Sequence, residues 1–421
     1  MISTKKRTWL HEDWAVVVLG FIVIALAILG RKPAVPAYSW NDLSTLSSKI
    51  FSGENLALFG AQLLFVFAIA ILGAWITGKP AKPMMIVFPI IFVLTAIAMI
   101  IAGNSTIKSL NLEAVIFSLA IGLFIGNVFK LPEWFRNALS AEFFVKIGLV
   151  ILGTGVIFSE ILKAGGYGLL QSLIVVLSVW YFAFWLCRKL KIDEELTMMI
   201  SSAVSICGVS AAIATAGAIK GDNKKLSYVI SLVLITAIPM MVVMPYLANW
   251  MGLSEEVTGA WLGGSIDTTG AVVAAGSLVG ETALKISTIV KFSQNVLLGV
   301  AAFAISLYWT YTNHANAALP EGKPTFGVIW DRFPKFVLGF VAASLIFSFL
   351  LSPATISDVK ESLKTVQTLW FVLAFTSIGL ETRFSDLFKH ENRKPLYAFL
   401  IAQLFNIIVT LIVAMILFSQ M

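Results

Sequence analysis

Charge is what this chain has least of. Of its 421 residues, 13% are charged and 58% are hydrophobic, whereas a soluble globular chain carries about a quarter charged residues. With a mean hydropathy of +0.90, a water-soluble domain is excluded. Cysteine is scarce: Cys187 and Cys207 both lie in apolar segments, so no disulfide framework is indicated. The three histidines, His11, His314 and His390, all fall outside the apolar runs. With neither an intramembrane His nor a Cys cluster, a metal centre has no ligand set, and no cofactor is predicted. Pro-Gly-Ser tracts and low-complexity stretches are absent, and the longest connections, Arg31 to Asn55 and Thr310 to Phe333, are too short for another globular domain. No paired catalytic carboxylates or zinc-type His pair occur inside the spans, which argues against an enzyme. No polar stripe runs through several helices, which argues against a passive channel. The net charge of +7 calls for no nucleic-acid partner, because cytoplasmic loops of membrane proteins are rich in Lys and Arg anyway.

What is present is apolar sequence. Thirteen runs between Trp14 and Phe418 are long enough to cross about 30 Å of hydrocarbon. They predict an all-α polytopic membrane protein of about 11 to 13 membrane segments, in one continuous membrane domain. The basic leader before Trp14 reads as the flank of a retained first helix with a cytoplasmic N-terminus.

The organising stretch is Thr197 to Gly280. It contains two Gly-broken segments, SICGVSAAIATAGAIKGD and SIDTTGAVVAAGSLVGE, which match at an offset of 59 residues through Ala216/Ala275, Gly217/Gly276, Gly221/Gly280 and Asp222/Glu281. A helix that breaks inside a bilayer frees backbone N–H and C=O groups, tolerable only where they face protein, water or a ligand. Two such breaks in corresponding places point to a transporter's binding site. The basic run Lys220 to Lys225 falls on the outer face if Thr197–Ile219 crosses. It falls inside if that segment dips in and returns, with Thr258–Val279 doing the same from the opposite face, a better fit to the positive-inside rule. Loop charge alone does not separate a re-entrant hairpin from a crossing helix unwound in its middle. A second match, GTGVIFSEIL from Gly153 against GLETRFSDLF from Gly379, supports inverted halves. The expected division is residues 1–111 as accessory helices, available for packing or homodimerisation, 112–250 as one repeat and 251–421 as the other.

Several residues within these segments are candidates for chemistry. Asp267 is a carboxylate in mid-segment, costing roughly 3 kcal/mol on insertion scales and functional by default; it is the expected coupling-ion site, for a proton or Na+. Lys291 and Gln294 share a helix face and set the charge balance. Ser205, Cys207, Gly208, Val209 and Ser210 in the first break, and Gly264, Ser265, Thr268 and Thr269 in the second, would supply backbone and hydroxyl ligands. Thr376 and Ser377 are candidates for the same cavity. Lys146, a few residues inside its span, reads as a residue snorkelling to the interface.

At these motifs the sequence resembles the putative sulfate exporter family of bacterial inner-membrane proteins. The resemblance covers roughly Met84 to the C-terminus. It runs through AIGLFIGN (Ala120 to Asn127), KIGLVILGTGV (Lys146 to Val156), SICGVSAAIAT (Ser205 to Thr215), GGSIDTTGAVVAAG (Gly263 to Gly276), IVKFSQNVLL (Ile289 to Leu298), FPKFVLGF (Phe333 to Phe340) and SIGLETRF (Ser377 to Phe384). It implies membership of the superfamily of cation/proton antiporters and anion transporters, with two inverted repeats, discontinuous helices meeting at the midplane and elevator-like alternating access. Many relatives have Ser-Ile-His-Glu where this chain has Ser265-Ile266-Asp267-Thr268, and Lys-x-x-Arg where it has Lys291 to Gln294. Both departures remove positive character and favour a cation-coupled or cation-binding role. The expected function is an ion-coupled secondary transporter of a small anionic solute in a bacterial inner membrane. A cation antiporter without an organic substrate is the alternative.

Overall fold

The computed structural model describes residues 10–109, 113–312, 327–382 and 393–419. His314, His390 and the later part of the Gly379 match (383–388) lie outside them. Among the described residues the secondary structure is helical, apart from one isolated bridge between Trp40 and Asn104. Among the described residues, eight helices are long and apolar enough to cross a membrane, and Ala114–Val128, Val209–Ile219, Thr269–Val279 and Lys335–Leu350 are shorter apolar helices. The chain is thus a polytopic, all-helical membrane protein. The first of the apolar runs read from the sequence forms the 17-residue helix Glu12–Ile28, and the other twelve fall into these two groups.

The helices fall into two compact units that do not follow the boundaries at 111/112 and 250/251. The first comprises Met1–Ser159 and Lys335–Arg383, the second Glu160–Pro334 and Phe384–Met421. Numbering the longer helices only, the first unit holds α1 (Glu12–Ile28), α2 (Gly53–Ile76), α3 (Ala81–Ala102), α4 (Ala114–Val128) and α5 (Ala141–Leu152). The second holds α6 (Phe158–Lys189), α7 (Glu194–Ser205), α8 (Val209–Ile219), α9 (Asn223–Trp250), α10 (Glu255–Ser265), α11 (Thr269–Val279) and α12 (Glu281–Thr312). The chain then returns to the first unit for α13 (Lys335–Leu345) and α14 (Pro353–Glu381), and to the second for α15 (Lys394–Phe418).

In lipid, apolar surface gives helices little reason to associate, so contact depends on close packing and polar bonds. The first unit is built accordingly around α14. A Cβ added at Gly379 would lie 2.7 Å from the Leu119 carbonyl oxygen and the Leu123 nitrogen of α4, and one added at Gly122 would lie 2.5 Å from the Thr376 carbonyl oxygen. The two backbones therefore touch, which only glycine permits. The Thr95 and Thr376 hydroxyls share a buried hydrogen bond of 2.8 Å. Arg136 donates to the Leu380 carbonyl (2.9 Å) and to the Gly126 carbonyl (2.9 Å), placing one guanidinium at the C-terminal, partially negative ends of both helices. Lys146 bonds Asp13 at 3.0 Å and Glu12 at 3.2 Å, and Lys79 bonds Glu12 at 2.8 Å. This cluster fixes α1 against α5.

Overpacking a close helix contact costs about 1–3 kcal/mol. Gly379→Ala is expected to lower the thermal unfolding temperature of the detergent-solubilised protein, while Gly60→Ala, whose added Cβ meets nothing within 4 Å, leaves it unchanged. Equal unfolding temperatures for the two variants would remove the glycine contact from the account of this unit.

Candidate functional site

The two broken segments are helical hairpins. In the first, the base of α7 meets the end of α8: the Asp222 amide donates to Glu195 at 3.0 Å, and Lys225 pairs with Asp193 at 2.7 Å and Glu195 at 3.2 Å. In the second, the base of α10 meets the end of α11: the amides of Thr282 and Ala283 donate to Glu255 at 3.1 and 3.3 Å. Each segment therefore enters and leaves by the same end, and of the two geometries left open by loop charge, both segments adopt the hairpin. The bases are capped. Asp193 and Ser254 accept from the third backbone N–H of α7 and α10. Asp222 accepts from the amides of Lys225 and Lys224, and those bonds hold its carboxyl below the usual carboxylate range.

The tips are where the polar groups gather. The chain turns at Ile206–Gly208 in one hairpin and at Ile266–Thr268 in the other. Gly208 has φ 59°, in the region that disfavours side chains, and a Cβ there would come within 3.0 Å of the Asp267 Cβ. The tips are thus in contact, and the first can turn only on glycine.

Lys291, from α12, is fully buried. Its ammonium donates to the Ile206 carbonyl at 2.9 Å, the Ile266 carbonyl at 2.8 Å and the Gln294 Oε1 at 2.7 Å. An ammonium has three protons to give, and all three are used. Two acceptors are the residues just past α7 and α10, so a single positive charge sits where two helix C-termini converge, each carrying about half a negative charge. Gln294 completes the join by donating to the Ser205 carbonyl at 2.9 Å and the Gly264 carbonyl at 3.3 Å. From α15, Gln403 donates to the Ser265 carbonyl at 2.8 Å, and Asn406 to the carbonyls of Val204 (3.0 Å) and Ser265 (3.2 Å). From α6, Gln171 donates to the Ala260 carbonyl at 2.7 Å. The carbonyls freed by the breaks are therefore met by side chains.

The other ends of the breaks differ. α8 begins after Gly208 with no side-chain cap, so its first N–H groups, on Val209, Ser210 and Ala211, lack the bond a cap would give. Ser210 is exposed, and Thr268 and Thr269 are half-buried. In α11, Thr268 caps the Ala271 amide at 3.4 Å and the Thr269 hydroxyl accepts from Asn295 at 3.3 Å. Asp267 is 2% exposed and interacts electrostatically with Lys291 and the Gln403 amide. Its Oδ2 has no hydrogen-bond partner, nor do the Ser265 Oγ, Asn295 Oδ1 and Gln403 Oε1.

The structure thus brings together Ser205, Cys207, Gly208, Val209, Ser210, Gly264, Ser265, Asp267, Thr268, Thr269, Lys291 and Gln294. Ser205 and Gly264 take part through their carbonyls; the Ser205 hydroxyl bonds Ser201 at 2.7 Å within its own helix. Thr376 and Ser377 belong to the first compact unit, where their hydroxyls bond the carbonyls of Val372 and Leu373, each at 3.0 Å. Three contributors sit outside the predicted set. Gln403 and Asn406, three apart on α15, carry a spacing signal for one polar face; Gln171 is a lone amide in an apolar run. Among the described residues no group of His, Cys, Asp and Glu that could hold a metal ion occurs.

Residues 84–398 match the family described as Conserved hypothetical protein 698. A UPF0324 membrane protein of Rhodopirellula baltica is 41% identical over 390 residues, covering 90% of this chain and 70% of its own length. Another, from Nitratidesulfovibrio vulgaris, is 37% identical over 388 residues, covering 89% and 66%. A third, from Nitrosomonas europaea, is 28% identical over 452 residues, covering 92% and 91%. The chain spans about two thirds of the length of the first two. No solved structure matches it.

Leaving a buried acceptor unmet costs about 1–3 kcal/mol, and Lys291→Met would strand three at once. It is expected to unfold at a much lower temperature than the wild type in detergent, while Asp267→Asn, which removes a charge whose Oδ2 is already unpartnered, stays close to wild type. A Lys291→Met protein as stable as the wild type would mean that the ammonium does not hold the tips together.

Proposed function

We propose, for a chain that belongs to the family described as Conserved hypothetical protein 698, the UPF0324 membrane proteins, that it is an ion-coupled secondary transporter of a small anionic solute. The solute binds at the paired starts of α8 and α11, on the N–H groups after Gly208 and the hydroxyls of Ser210, Thr268 and Thr269. Helix N-termini favour negative charge. The observation that carries this reading is the division of labour at the tips: Lys291 spends every proton on the C-terminal side, while α8 starts uncapped beside Asp267.

Asp267 supplies the coupling. Ionised, it opposes an anion at the tips; neutralised, it leaves the Lys291 charge unopposed. Two unit charges about 5 Å apart at an effective dielectric of about 20 interact by roughly 3 kcal/mol. Protonation of Asp267 would therefore change anion affinity by about a hundredfold. Proton and solute then move together, by elevator-like alternating access, with residues 112–250 and 251–421 as inverted halves whose hairpins enter from opposite faces. A second reading, a cation antiporter without an anionic solute, is favoured by the acceptors left without partners, Asp267 Oδ2, Asn295 Oδ1 and Gln403 Oε1, which suit an incoming cation or proton.

The test is proton movement in proteoliposomes loaded with a pH-sensitive dye, driven by gradients of small inorganic and organic anions and, separately, of Na+ and K+. Wild-type protein is expected to move protons with at least one anion, and Asp267→Asn, folded by thermal unfolding, to lose that response. Proton movement with cation gradients alone would favour the antiporter, and undiminished coupling in Asp267→Asn would remove this residue from the mechanism.

A further inference from the structure

The first unit holds a cleft with charged side chains along it that the proposed transport site does not use. Its volume is about 520 Å³, and it is bounded by the extended segment Val35–Ser39, by Lys49, Met99 and Lys108, and by the third to fifth turns of α14, from Glu361 to Thr368. This volume is within the range of small-molecule sites, roughly 300–1,000 Å³.

The wall made by Val35–Ser39 is held by buried amides. Asn55 accepts from the Ala37 amide at 2.7 Å and donates back to the Ala37 carbonyl at 3.0 Å. Gln62 accepts from the Tyr38 hydroxyl at 2.8 Å and donates to the Ala34 carbonyl at 3.3 Å. The Trp40 indole donates to the Ile100 carbonyl at 2.7 Å, and Gly103 packs directly beneath the Tyr38 carbonyl, where a side chain has no room. An irregular strap pinned at this many points keeps its shape without a ligand.

Charge in the cleft is unbalanced. Lys49, Lys108 and Lys364 line it with one carboxylate, Glu361, and all four are exposed. Lys108 donates to the Ser39 hydroxyl at 2.9 Å, which leaves that hydroxyl its own hydrogen to give. Clustered like charges repel, and a concave wall focuses their field on a counter-ion. We propose that this cleft is a second binding site, for a phosphate- or sulfate-type oxyanion carried by a solute or a lipid headgroup, with Lys49, Lys108 and Lys364 as its cationic contacts and Ser39 as a hydroxyl donor. The strap and Lys49 lie outside the family match at 84–398. With a cytoplasmic N-terminus, the cleft opens on the outer face.

The experiment uses the full-length protein in nanodiscs of zwitterionic lipid, titrated with inorganic phosphate and with glycerol 3-phosphate against chloride at matched ionic strength. Parallel nanodiscs contain phosphatidylglycerol. Saturable phosphate binding is expected, weakened about threefold or more by Lys49→Gln or Lys364→Gln and strengthened by Glu361→Gln; all three positions are exposed and leave the fold intact. Lys-dependent enrichment of phosphatidylglycerol, competing with glycerol 3-phosphate, would assign the oxyanion to a headgroup, and binding confined to the free phosphates would assign it to a solute. Phosphate no more effective than chloride, together with no phosphatidylglycerol enrichment, overturns the proposal, as does binding that is equal in all three variants.

Discussion

One ammonium group holds the two hairpins of the second unit in register. Each hairpin brings a helix C-terminus to a place with no water to meet its carbonyls, and two such ends facing each other would repel. Lys291 answers both with a single charge and three well-formed hydrogen bonds. Carbonyl dipoles, not a carboxylate, are its direct partners, and Asp267 lies beyond hydrogen-bond contact with it. This arrangement separates two jobs that a simple ion pair would merge: Lys291 is committed to the backbone, and Asp267 keeps an oxygen for something else.

The same economy of means recurs in the other unit. Arg136 stands at the C-terminal ends of α4 and α14 much as Lys291 stands past the ends of α7 and α10. In each case a cation replaces the solvent that would otherwise satisfy the last carbonyls. The difference lies in what is left over. The Arg136 junction is enclosed by glycine-mediated backbone contact, while the Lys291 junction adjoins an uncapped helix start and a run of acceptors without partners. Chemistry, on this reading, belongs to the junction that is left incomplete.

How much of this could be read from the residues follows from where each signal resides. The hairpins were legible because glycine and hydroxyl residues interrupt apolar runs at matching positions, and because Lys220 to Lys225 sit awkwardly for a crossing helix. Lys291 and Gln294 were legible as polar residues on one face of a long span. Their partners were not, since Ile206 and Ile266 act through backbone carbonyls that leave no mark on the side-chain pattern. Gln171 and Gln403 reach the hairpins from helices remote in sequence. Thr376 and Ser377 show what else a polar letter can record: a hydroxyl in a membrane helix can bond the carbonyl four residues back, and theirs do. The polar letters there mark helix packing in the first unit.

The latches at Glu195 and Glu255 also govern bookkeeping for the whole chain. A segment that leaves by the door it entered adds nothing to the parity of crossings, so every loop downstream keeps the side assigned before it. Were either tip to straighten during insertion, all later loops would change compartments, and α12 would arrive upside down with Lys291 at the wrong depth. The bonds at each hairpin base hold the two ends of its segment together.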